Sequence, residues 1–245
     1  MRFRNQNANV EAKAKVYYPT VADGWDYWHF TNGSVEKACR NLIKGGTNAA
    51  PIGAPTPEAN YLRCKGLAGY LQTAYLEQAE FTVYLVGRTT DTLVDNPTRP
   101  MFWGTFNGPA ASDPSATSPG ASLYVPSAGN LTGGAGRNNG TPNGTAASAT
   151  VSWTPTNWTL FSLRVDNAET ILRNESAGTE ARFGPSAWPR FITSNMDRIG
   201  VSFGSYQGTC DIAMVSRARL KHSEAQRMAT LADIRRYMQP RDIAA

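Results

Sequence analysis

The stretch WTLFSLRVD at residues 158–166 decides the fold, together with TILRN (170–174), RIGVSFG (198–204), CDIAMVSRARL (210–220) and SEAQRMATLADIRRYM (223–238). In the first segment Phe161, Leu163 and Val165 share one side of an extended chain, because strand side chains alternate with a period of two. Asn167-Ala168-Glu169 turns that strand into the next. Ile199, Val201 and Phe203 repeat the alternation, and Tyr206-Gln207-Gly208 is a second turn signal. After residue 223 the period changes. Met228, Leu231, Ile234 and Met238 recur at three- and four-residue spacing, which predicts one helix face turned toward the sheet or a neighbour. Ser223 stands where an N-cap belongs, Glu224 lies at the helix N-terminus, and Pro240 stops the helix. Paired strands ending in one amphipathic helix predict an all-β, two-sheet antiparallel sandwich that works by binding or assembly rather than by chemistry.

Upstream segments extend the same pattern. EFTVYLVGRT (80–89) puts Phe81, Val83 and Leu85 on one face and Tyr84 and Val86 on the other, as expected of a central strand. NYLRC, GYLQT, RPMFWGTFNG (99–108), SLYVP (122–126) and ATVSW (149–153) also read as strands. The expected core is Phe81, Val83, Leu85, Phe161, Leu163, Val165, Ile199, Val201, Phe203 and Ile212. VEKACRNLIKGG (35–46) admits two readings: a short helix capped by Ser34 and ended by Gly45-Gly46, or an extended Asn41-Leu42-Ile43. Between 109 and 149 the composition shifts to Gly, Ala, Ser, Asn, Pro and Thr. Apart from 122–126, this stretch is expected to be a long loop, mobile or ordered by a neighbour. Residues 1–35 are expected to form an aromatic N-terminal arm for assembly, or else an added, half-buried strand, and 36–240 the sandwich domain.

With 245 residues, 41% hydrophobic and 18% charged, the chain has ample core material and too little charge for a disordered protein. The net charge of +5 is spread over both ends, from Arg2, Arg4, Lys13 and Lys15 to Arg217, Arg219, Lys221, Arg227, Arg235, Arg236 and Arg241. No dense basic block is interleaved with stacking aromatics, so these charges read as solvated surface and nucleic acid is not an expected partner. Three widely spaced cysteines, Cys39, Cys64 and Cys210, make no disulfide framework. Cys210 reads as a small core residue, and a Cys39–Cys64 pair is the alternative. The N-terminus has no apolar signal core and no run reaches the length of a membrane span. Synthesis in the cytoplasm without membrane insertion is therefore expected.

GTCDIAMVSRARLKHSEAQRMA (208–229) resembles the C-terminal signature of laminin-G-like, concanavalin A-like jelly rolls. Gly208, Ile212, Ala213, Val215, Arg217, Leu220, Ser223 and Glu224 occupy its places, while Met214-Val215-Ser216 stands where the family usually has an aromatic. RNLIKGG, PIGAPT, GYLQT and EFTVYLVGRTTDT are similar to laminin-G-like proteins of bacteriophage virions. The resemblance spans roughly residues 40–238. It implies a virion structural component (fibre, spike or decoration), a homotrimer by analogy with phage fibres, other virion proteins as partners, and attachment to a host-surface glycan. The alternative is a lectin-like carbohydrate-binding module. The resemblance also allows a structural calcium ion at a sandwich rim. Asp91, Asp95, Asn96 and Asp197 have the right chemistry but no matched spacing, so turn and cap roles are favoured.

Catalysis is not expected. Glycoside hydrolysis needs paired carboxylates across the scissile bond, and this chain has no Glu-x-Asp-x-x-Glu run. It has two histidines, His29 and His222, and no Gly-x-Ser-x-Gly elbow. Sugars are gripped by aromatic faces, which makes Trp25, Trp28, Trp153, Trp158 and Trp188 candidates. Trp25, Trp28 and Trp188 are taken forward, against the usual fate of such residues as core. Tyr17, Tyr18, Trp25, Tyr27, Trp28 and Phe30 are expected to form an assembly interface, because they precede the sandwich pattern and aromatic anchors dominate interfaces.

Overall fold

The computed structural model describes residues 13–22, 24–201 and 204–245. In chain order its elements are β1 (Trp25–Phe30), α1 (Val35–Cys39), β2 (Ala50–Gly53), β3 (Thr56–Pro57), β4 (Leu62–Lys65), β5 (Gly69–Leu76) and β6 (Phe81–Arg88). Next come β7 (Met101–Gly104), β8 (Gly108–Pro109), β9 (Thr117–Ser118), β10 (Ala121–Ser127), β11 (Asn130–Arg137) and β12 (Thr145–Ser152). The chain closes with β13 (Thr159–Val165), β14 (Thr170–Asn174), β15 (Thr179–Phe183), β16 (Met196–Ile199), β17 (Thr209–Ala218) and α2 (Glu224–Met238). Among the described residues fifteen strands form one antiparallel sheet in the order β12-β11-β10-β7-β16-β5-β4-β17-β6-β13-β14-β15, with β1 on β17, β2 on β5 and β3 on β4. The sheet folds over so that β12 packs on β14 and β15, giving two layers. The all-β jelly-roll sandwich with one closing helix is the observed architecture.

The alternation read from the sequence sets the register. Phe161 lies opposite Leu85, Leu163 opposite Val83, and Val165 opposite Phe81. These cross-strand pairs face the interior between the layers, with Leu123, Val125, Leu131, Phe102 and Trp103. Of the ten expected core residues, nine are buried; Phe203 lies outside the described residues. β17 breaks the alternation with an irregularity between Ile212 and Met214. Ile212 and Val215, three apart, therefore both join the interior cluster, while Ala213 and Met214 join the opposite one.

That opposite face is a second core. Trp25, Trp28, Phe30, Tyr84, Val86, Leu160 and Met214 are covered by Leu231, Ile234 and Met238 of α2. The described part of the molecule thus has three layers, and this corrects the expected N-terminal arm over residues 13–22 and 24–35; residues 1–12 and 23 of that arm lie outside the described residues. β1 is a buried strand whose one strand partner among the described residues is β17, from Trp25 opposite Ala218 to Phe30 opposite Met214. Trp25, Tyr27, Trp28 and Phe30 are all buried by their own chain. Phe30 also stacks on Tyr237 of the helix segment, centroids 3.4 Å apart and planes 10° apart.

The loop expected at 109–149 is corrected as well. It contains β8 to β12, and β11 pairs with β12 without interruption from Asn130–Ser152 to Arg137–Thr145. Glycines are required here by close approach. A Cβ on Gly133 would stand 2.7 Å from Leu163 Cδ1, and one on Gly136 would stand 2.4 Å from Phe191 O.

Both readings of 35–46 occur in succession. Ser34 Oγ accepts from Lys37 N at 3.2 Å to cap α1, and Arg40 is extended, so Gly45-Gly46 does not end the helix. The Asn41 side chain then accepts from Trp28 N and Ile43 N and donates to Asp26 O. In α2, Ser223 is the N-cap in a reciprocal box with Gln226, and Met228 points to solvent rather than to the sheet. Ser223→Ala is expected to lower stability by about 1 kcal/mol, a fall of about 2–4 °C in Tm. An unchanged Tm would show that the cap is replaced by water.

Candidate ligand-binding groove

At one end of the sandwich the β12–β13 connection, the β14–β15 turn and the C-terminal segment enclose a cleft of about 810 Å³. Its walls include Thr154, Thr156, Asn157, Trp158, Asn174, Ser176 and Asp242. The connection is held by backbone bonds, Asn157 N to Thr154 O at 3.1 Å and Thr89 N to Pro155 O at 2.8 Å. The facing turn is held by Ala177 N donating to Asn174 Oδ1 at 3.1 Å, while Asn174 Nδ2 donates to Ser152 O at 3.1 Å. Ser176 Oγ accepts from Leu160 N at 3.0 Å. Polar groups thus sit on a braced backbone, which limits the ordering that binding would require.

Trp158 is the more exposed of the two aromatics of the cleft. The Arg88 guanidinium lies 4.5 Å from its ring centroid and 5.4 Å from that of Tyr61, and Tyr61 packs against Trp158 at 5.4 Å. Arg88 is fixed from behind, since its Nε donates to Asp211 Oδ2 at 3.1 Å. Asp211, almost wholly buried, also takes two bonds from Arg63, and hydrogen bonding to this carboxylate raises the Arg63 guanidinium above its ordinary value. The indole is therefore held against a guanidinium that Asp211 fixes in place. Trp153 lines the inner wall, and its indole N–H has no acceptor among the described residues. Hydroxyls, amides and the two indoles, Trp158 half-buried and Trp153 almost wholly buried, in a shallow cleft suit a polyhydroxylated ligand.

The residues singled out from the sequence have other places. Trp25 and Trp28 are buried under α2 and offer no ring to a ligand. Trp188 is 43% exposed but stands outside the cleft, in a turn where Ser186 Oγ accepts from Trp188 N. Tyr17 packs on Trp28 and Phe30, with centroids 4.9 and 5.5 Å away, whereas Tyr18 projects into solvent. The expected assembly interface is thus internal for Trp25, Tyr27, Trp28 and Phe30. Trp158 belongs to the wider set of sugar candidates but not to the three preferred ones, and no spacing in the sequence singles it out.

The calcium candidates serve the fold. Asp95 forms a capping box with Thr98, Asp91 accepts from Thr92 N and Thr209 N, and Asp197 is ion-paired inside the core. Among the described residues no group of three His, Cys, Asp or Glu is placed to hold a metal ion. His29 and His222 are buried, and burial pulls each down to about 4. Cys39, Cys64 and Cys210 are buried free thiols; Cys64 faces Cys210 across β4 and β17 rather than pairing with Cys39. Among the described residues no helix is long and apolar enough to cross a membrane.

No family model matches the chain, and no curated protein matches its sequence. Solved structures do. The binding domain of Paraclostridial Mosquitocidal Protein 1 aligns with a TM-score of 0.57 at 9% identity, covering 86% of this chain and 52% of that one. The binding domain of botulinum neurotoxin DC, in complex with SialylT, gives 0.58 at 10% identity, covering 86% and 52%. The binding domain of botulinum neurotoxin serotype D gives 0.57 at 9%, covering 85% and 51%. The chain spans about half the length of these toxin domains. At this identity the likeness is one of fold: a β-sandwich shared with bacterial toxin binding domains.

Proposed function

We propose that this chain is a lectin-like module that binds a glycan in the Trp158 groove and acts by binding rather than by chemistry. The observation that carries the proposal is the Trp158 ring, braced by Arg88 and surrounded by Thr154, Thr156, Asn157, Asn174 and Ser176. Support comes from the shared fold, one of whose members was solved with SialylT bound. A non-catalytic role is supported by the acids. Asp242 is the one carboxylate among the described residues lining the cleft, whereas glycoside hydrolysis requires two. Glu77, Glu175, Asp197 and Asp211 are each ion-paired with arginine.

A virion component is the second reading, carried by the sequence resemblance. The assembly contact expected of it is the aromatic arm, and β1 fills the sandwich instead, so glycan binding is the reading favoured here. A host-attachment protein would use the same groove. Screening the chain on a glycan array, followed by titration of the best oligosaccharide, tests the proposal. Trp158→Ala is expected to weaken binding at least about tenfold, near 1.4 kcal/mol, with Trp188→Ala unchanged. Equal affinity of native chain and Trp158→Ala, or no glycan retained by the native chain, would overturn it.

A further inference from the structure

A second groove lies on the other side of β1, between the segment at 13–16 and the turn that follows α1. It encloses about 690 Å³ and is lined by Lys13, Lys15, Arg40 and Lys44, with Val16, Ile43 and Asn48. It shares no lining residue with the Trp158 groove. Next to it a smaller hollow, which also uses Ile43 and Lys44, is bordered by Tyr17, Tyr18 and Pro19. The segment is anchored there by Tyr17 N donating to Leu42 O at 2.7 Å and by Arg40 Nη1 donating to Ala14 O at 2.9 Å.

Two features point to a ligand. Lys13, Lys15 and Lys44 are exposed and have no ion-pair partner among the described residues, whereas Arg217, Lys221 and Arg227 are each paired with a carboxylate. Like charges gathered at one concave site raise its potential and favour an anion. Beside them Tyr18 is 79% exposed, the largest exposure among the big apolar side chains of the described residues. An isolated ring projecting at the rim of a cationic groove is placed to stack on a ligand face.

We propose that this groove binds an acidic saccharide, a sugar bearing carboxylate or sulfate groups, with the three lysines on the anionic substituents and Tyr18 on the sugar ring. The ring and the apolar wall of Val16 and Ile43 distinguish this site from one for a bare anion. The confinement of the cations to one small groove distinguishes it from a nucleic-acid track, which neutralises phosphates along an extended surface. The site is independent of the Trp158 groove, and either can fail without the other.

The test is titration of the full chain with a sulfated heparin-derived tetrasaccharide, a tetragalacturonate, a neutral maltotetraose and inorganic phosphate. At least one acidic oligosaccharide is expected to bind, and to bind several-fold more weakly as ionic strength is raised across the physiological range. Lys13→Gln/Lys15→Gln/Lys44→Gln is expected to weaken it at least about tenfold, because three positive charges no longer face the anionic substituents. Tyr18→Ala is expected to weaken it a further few-fold, while Trp158→Ala leaves it unchanged. The lysines are exposed, so an unchanged Tm shows that the variant is folded. The proposal is overturned if the triple variant binds like the native chain, if maltotetraose binds as well as the acidic sugars, or if phosphate alone binds as tightly as the oligosaccharide.

Discussion

A chain that starts at residue 35 is expected not to fold. Removing β1 strips the β17 edge of its partner and deletes Trp25, Tyr27, Trp28 and Phe30, which fill the space between the sheet and α2 or the interior beside it. Each large aromatic buries roughly 150–250 Å², and losing several exceeds the marginal stability of a domain. The single substitution Trp28→Ala isolates part of the effect. Trp28 is fully buried against Tyr17, Trp25 and Phe30, so about 3–5 kcal/mol should be lost, readable as a fall in the urea midpoint. If the shortened chain instead shows native circular dichroism and a cooperative transition, the two cores fold without β1 and the strand is an accessory. An assembly role for these aromatics would predict a folded chain of lower oligomeric order.

The layers explain why β6 and β13 are legible in the sequence and β1 is not. Phe81, Val83 and Leu85 alternate cleanly, and each finds a partner of the same period in Phe161, Leu163 and Val165. WDYWHF is apolar on both faces and carries an irregularity between Trp25 and Tyr27, so no period assigns it to a surface. Only the docking of α2 makes its outer face an interior, and that is a tertiary fact. The β11–β12 ribbon is hidden for the opposite reason. Gly133, Gly134 and Gly136 give no alternating apolar signal, yet the missing side chain of Gly133 is what lets Leu163 and Leu172 of the opposite layer approach, and that of Gly136 leaves room for Phe191 O. Neither groove is evident as a unit in the sequence. The Trp158 cleft gathers residues from 88 to 244, and the cationic one joins 13–16 to 40–48. Arg63, Arg88 and Asp211, which brace Trp158, carry no spacing that marks them as a group.

Arg217 shows most sharply how position along a strand overrides residue type, and its pair should give the other large loss. It reads as one of several scattered surface cations, but it follows Val215 on the inward face of β17 and lies opposite Val83. It is 1% exposed. Its Nη1 donates to Asp197 Oδ2 at 2.5 Å and its Nη2 to Leu76 O at 2.7 Å, while Nε lies 3.4 Å from Asp26 Oδ2. Tyr27 Oη donates to the same Asp197 oxygen at 2.9 Å and accepts from Trp103 Nε1 at 2.6 Å. Burial pushes the Asp197 carboxyl up, and the Arg217 guanidinium and the Tyr27 hydroxyl pull it back. Asp197→Ala would leave a guanidinium in the interior with much of its compensation gone, a loss expected at about 3–5 kcal/mol. Asp197→Ala/Arg217→Met removes the stranded charge and should recover a large part of that loss, so the two changes are strongly non-additive. Chemical denaturation of the native chain, the single variant and the double variant measures this. A loss below about 1 kcal/mol for Asp197→Ala would mean that water reaches the guanidinium and that the pair is not an interior one. The pair also joins β16 to β17, and through Tyr27 and Trp103 it reaches β1 and β7. If its role is to fix that register, the double variant should keep its stability yet lose uniqueness, seen as broadened NMR resonances around Tyr27 and Trp103.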